Sequence, residues 1–195
     1  MRRRLLVAAL LLALVPAVAA GCGQQTDPQA QQLLKDASAH LSKAADVTKS
    51  IEDFNRQWQA LVADQANPQN AAKLEAMLTK TKASETASLD ELKAARDDYA
   101  KAVGRKISSG LKKYVDLRSR ALDEQEQFLK QELQAMDLRI SVARGVAAGD
   151  QLQTLIQMEK KINDLETSSA AHLQQAGRLY KQASDYYKEH NLGGS

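Results

Sequence analysis

Few residues of this chain have the type and spacing that catalysis requires. His40, His172 and His190 are the only histidines and stand on separate stretches, so no HExxH pair exists to hold zinc and a reactive water. None of the three has a glutamate three residues before it, which removes the Glu-x-x-His element of a carboxylate-bridged metal pair. Cys22 is the single cysteine, which excludes an intramolecular disulfide and a C-x-x-C-H haem attachment. No G-x-S-x-G, phosphate loop or G-x-G-x-x-G occurs. The expectation is a non-enzymatic protein with no metal site and no cofactor.

Charge patterning offers a different chemistry. Lys101, Arg105, Lys106, Lys112, Lys113, Arg118 and Arg120 share a stretch whose only acid is Asp116. The sign then reverses at Asp123, Glu124, Glu126, Glu132 and Asp137, against Lys130 and Arg139. A basic patch around a loop holds an anionic lipid headgroup or wall polymer by charge. The competing reading spreads these side chains round a solvated helix, paired with acids on neighbouring segments, which is the commoner fate of such a run.

The remaining reactive group, the Cys22 thiol, belongs to the N-terminal stretch. Arg2, Arg3 and Arg4 precede an almost unbroken apolar run from Leu5 to Val18, the layout of a secretory signal peptide. The run closes on Ala19-Ala20-Gly21-Cys22. This resembles the lipobox of bacterial lipoprotein precursors, with Ala19 where Leu is usual. The resemblance implies cleavage between Gly21 and Cys22 and diacylglyceryl attachment to the Cys22 sulfur. It also implies an exported protein held on the outer face of the cytoplasmic membrane, or at the outer membrane in a Gram-negative host.

Two other readings compete: an ordinary A-x-A cleavage at Ala17-Val18-Ala19, and an uncut anchor. Leu5 to Gly21 is 17 residues with Pro16 inside, at the short limit of a span of ~20. An unpaired thiol in an exported chain favours lipidation.

The leader also accounts for the charge balance. The whole chain is +3, with Lys+Arg 27 and Asp+Glu 24; without the three leader arginines the rest is formally neutral. Nothing in that balance points to nucleic acid. Residues 28–192 suit one domain, and the wealth of Ala, Leu, Gln, Lys, Glu and Asp with 4% aromatics favours helix.

Apolar residues at steps of three and four define the elements that carry these groups. After a short tether at 22–27, Asp27-Pro28 reads as an N-cap followed by proline at the first helical position. The stripe runs through Leu34, Leu41, Phe54 and Trp58 to Asn67-Pro68, resumes at Leu74 and Leu78, and thins between Lys82 and Ser88. There Ser88-x-x-Glu91 resembles a capping box, so the helix either restarts or runs through. Gly104 and Gly110 suggest a turn or kink, and Gly149 before a capping Asp150 a clearer one.

The arms fall at about 29–66, 70–103, 106–145 and 150–190, which predicts an all-α, elongated, antiparallel up-down-up-down four-helix bundle. The alternative is a long three-helix coiled coil with an unbroken helix over 88–146. Trp58, on the apolar stripe, reads as core; His172, beside it, as a half-buried structural histidine; Tyr180, Tyr186 and Tyr187 as bundle packing.

The function expected is a membrane-anchored cell-envelope lipoprotein that serves as a helical scaffold or binding module for an envelope protein or an anionic wall or lipid component. The alternative is a carrier or sensor holding a small ligand between helices near the Gly104 to Gly110 break.

Overall fold

Capping chemistry sets where the chain turns. A computed structural model of the protein describes the backbone of residues 27–62 and 68–192, and the side chains of 27–45 and 69–192. The leader, Cys22 and the side chains of Phe54 and Trp58 lie outside the described residues. Those residues form four helices: α1 (Pro28–Val62), α2 (Pro68–Val103), α3 (Ser109–Ala148) and α4 (Leu152–Glu189).

At the head of α1, the Asp27 carboxylate accepts from the Gln29 amide at 2.8 Å, satisfying one donor the helix cannot. Pro68 opens α2, two residues earlier than the periodicity suggested, because its fixed φ suits a first helical position. The helix then runs unbroken to Val103. Ser88 is no cap: its hydroxyl donates to the Ala44 carbonyl of α1 at 3.4 Å.

A turn at Gly104 to Lys106 separates α2 from α3, which rules out an unbroken helix over 88–146. Helix α3 starts at Ser109 rather than 106, since Ser108 is extended (φ −64°, ψ 153°) and its hydroxyl accepts from the Leu111 amide. Gly110 therefore lies inside the first turn of α3. A Cβ there would stand 3.0 Å from Leu192 Cδ2, so glycine admits the Leu192 side chain. At the other end Gly149 (φ 76°) takes the left-handed conformation that closes a helix, and the Asp150 amide donates back to the Gly145 carbonyl at 2.8 Å. Asp150 does not cap α4; Gln151 occupies that position and makes no side-chain cap.

Close packing joins α1 to α2, α2 to α3 and α3 to α4. Ion pairs record the direction. On α2 and α3, Glu75 meets Arg144 at 2.7 Å, Lys82 meets Asp137, and Arg96 meets Asp123 at 3.1 Å, so numbers rise on one helix as they fall on the other. The same reversal relates α3 to α4, through Glu124 with His172 at 2.7 Å and Tyr114 against Tyr187 at 5.1 Å between rings.

One long core cluster draws on all four helices: Leu34 and Leu41, Leu92 and Tyr99, Leu111, Tyr114 and Leu122, Leu179 and Tyr180. Each such side chain stabilises the bundle by about 1.5–3 kcal/mol. A smaller cluster joins Leu74 and Leu78 to Met136 and Ile140. Between the two on α2 lie the buried polar residues Thr81, Glu85 and Ser88, where the sequence stripe thins.

Candidate functional site

The basic segment wraps one end of the bundle. Lys101 ends α2, Arg105 and Lys106 form the turn, and Lys112, Lys113 and Arg120 project from α3; all six are exposed. Lys101 pairs with Asp98 at 3.1 Å. Among the described residues, Arg105, Lys106, Lys112, Lys113 and Arg120 have no ion pair within 4.0 Å, so pairing across to neighbouring helices does not consume them. The same end gathers the start of α1 and the end of α4: the Asp27 amide donates to the Lys106 carbonyl at 2.9 Å, and Leu192 lies over Gly110.

Arg118 does not belong with them. It is 4% exposed, with its guanidinium 4.8 Å from the centre of the Tyr180 ring. The reason is helical phase, since position 118 follows Leu111 by seven and Tyr114 by four, on the buried face. Burial disfavours its charge, but the phenols of Tyr99, Tyr114 and Tyr180, with a hydrogen bond to Tyr99, outweigh this and hold Arg118 above its ordinary value. Burial in turn pushes the Tyr114 phenol up to about 12. The Tyr180 hydroxyl donates to Gln125 Oε1 at 2.7 Å.

A second polar group crosses the interior farther along. Glu85 is 5% exposed, and its carboxyl is raised from 4.5 to about 8, first by burial and then by the neighbouring Glu132 charge, with Arg139 opposing. Ser169 donates to Glu132 at 2.7 Å, and Arg139 pairs with Glu166. Near neutral pH Glu85 is therefore mostly protonated, and its buried Oε2 has no hydrogen-bond partner among the described residues. Glu126, 1% exposed, meets Arg96 at 2.8 Å and Lys130 at 3.4 Å. The sequence reading missed this layer. Its signal was phase again, as Glu85 follows Thr81 by four and precedes Leu92 by seven, on the buried stripe of α2.

No protein-family model, curated protein or solved structure matches the chain. His40 contacts Glu91 at 2.5 Å, half-buried His172 contacts Glu124, and His190 stacks on Tyr186. No group of three or more His, Cys, Asp or Glu among the described residues is disposed to hold a metal ion. Tyr180 is buried, and Tyr186 and Tyr187 are half-buried against the core. No described helix is long and apolar enough to cross a membrane.

Proposed function

We propose that the chain is a membrane-anchored cell-envelope lipoprotein, attached through Cys22, whose helical bundle acts without catalysis as a scaffold or binding module for an envelope protein or an anionic wall or lipid component. The observation that carries this reading is where the chain joins the bundle. Asp27, five residues after Cys22, caps α1 and is hydrogen-bonded to the turn between α2 and α3. A lipid on Cys22 would thus hold one end of the bundle against a membrane, with helices of 35 to 40 residues, roughly 50–60 Å each, extending away. Three buried polar groups support scaffold over enzyme, since Arg118, Glu126 and Glu132 are engaged with the bundle's own side chains.

The test is the intact mass of the protein isolated from its native envelope, together with Cys22→Ala. A diacylglyceryl-modified Cys22 terminus and loss of membrane association in the variant are expected. An unmodified terminus at Ala20, Gly21 or Cys22 would overturn the reading.

A further inference from the structure

Resting on the lipid-anchor reading, we propose that Arg105, Lys106, Lys112 and Lys113 dock the end of the bundle onto the anionic phospholipid headgroups of the membrane that carries the anchor. Reach is the first reason. Asp27 lies five residues after Cys22, and a fully extended chain spans about 3.5 Å per residue, so the Asp27 Cα stays within roughly 18 Å of the Cys22 Cα. The Asp27 amide is bonded to the Lys106 carbonyl at 2.9 Å, so the turn shares that limit. Wall polymer farther from the membrane meets the bundle's sides and far end before it meets this turn.

Charge is the second reason, and the two ends of the bundle differ in it. The four cations are exposed and have no ion pair within 4.0 Å among the described residues. Lys188 adds a fifth charge, while Asp27, Asp116 and Glu189 oppose, and the Asp27 carboxylate is occupied in capping α1. A cationic excess remains. Arg120, farther along α3, stands off the contact. At the opposite end, the described stretch 145–158 contains Asp150 and no lysine or arginine.

A single lipid chain with a neighbouring cluster of cations is the two-signal arrangement that makes membrane attachment stable. Each basic residue near an anionic surface favours it by on the order of fivefold. The attraction fades within the Debye length, ~8 Å at physiological salt, so it acts on the part of the tether's roughly 18 Å range in which the turn lies close to the surface.

The experiment uses the lipidated protein purified from its membrane, with intact mass read first. It is reconstituted into phosphatidylcholine vesicles with or without phosphatidylglycerol, and its lysines are acetylated briefly and located by mass spectrometry. Lys106, Lys112 and Lys113 should react about fivefold to tenfold more slowly when phosphatidylglycerol is present, and high salt should abolish the difference. The exposed Lys160 and Lys161 of α4 should be unaffected. In Lys112→Gln with Lys113→Gln, removal of two charges should weaken docking by on the order of twentyfold and return Lys106 to its reactivity on neutral vesicles.

Equal labelling in the two lipids overturns the proposal. So does protection that appears only on adding anionic wall polymer, which would assign the patch to that partner. If the mass shows no lipid on Cys22, the anchor reading fails on its own. The same protein is then floated with preformed vesicles: salt-sensitive flotation with phosphatidylglycerol upholds the patch, and its absence rejects it.

Discussion

Replacing Glu85 by Gln should make the bundle more stable, by an amount that depends on pH. The carboxyl lies at about 8 in the folded bundle and 4.5 in the open chain. Between these values the folded state holds a proton that the unfolded state has released, so stability falls as pH rises. The full contribution of the neutral acid is present below pH 4.5 and is gone once pH passes about 8.

Each pH unit in that window is worth about 1.4 kcal/mol, so the loss is on the order of 3 kcal/mol by pH 7 and 5 kcal/mol by pH 8. That is a large share of the 5–15 kcal/mol typical of a domain. Glutamine keeps the shape and stays neutral in both states. Urea unfolding followed by circular dichroism at pH 5 and pH 8 would measure the effect. Wild type should lose stability steeply across the interval and Glu85→Gln should not, gaining roughly 3 kcal/mol over wild type at pH 7. Parallel pH slopes for the two proteins would refute a buried, neutral Glu85.

Substitutions at three further positions separate packing from charge and from backbone. Arg118→Ala should cost about 2–4 kcal/mol in urea unfolding, through the cavity it leaves among three tyrosines, whereas Arg118→Met, which fills the volume without the charge, should be neutral or stabilising. Ser108→Ala, which removes the acceptor for the Leu111 amide, should cost ~1 kcal/mol. Gly149→Ala should cost about 1–2 kcal/mol in thermal unfolding from its positive φ alone, since nothing lies within 4 Å of the added carbon.

The four helices were legible because punctuation and periodicity agree. Asp27-Pro28, Asn67-Pro68 and Gly149 carry backbone requirements that no neighbour can override, and the stripe between them keeps one phase. The misplacements came from signals with two meanings. Ser88 followed by Glu91 is a capping box only at a helix start; in mid-helix the same hydroxyl serves the adjacent helix. Arg118 was grouped by charge with its neighbours in sequence, although its spacing from Leu111 and Tyr114 turns it inward. What makes that burial tolerable, tyrosines from α2, α3 and α4, is assembled only in three dimensions. Glu85 was hidden for the same reason: a glutamate on a buried stripe reads as a gap until Glu132 and Arg139 come to face it. The seam between Asp27 and Lys106 joins two backbone groups and leaves no trace in side-chain pattern.

That seam has a mechanical consequence. A pull on the chain preceding Asp27 is carried both by the first turn of α1 and by the loop that joins α2 to α3. The load therefore enters the bundle on more than one helix. The Asp27–Lys106 hydrogen bond must part before α1 can be drawn away from that end of the bundle.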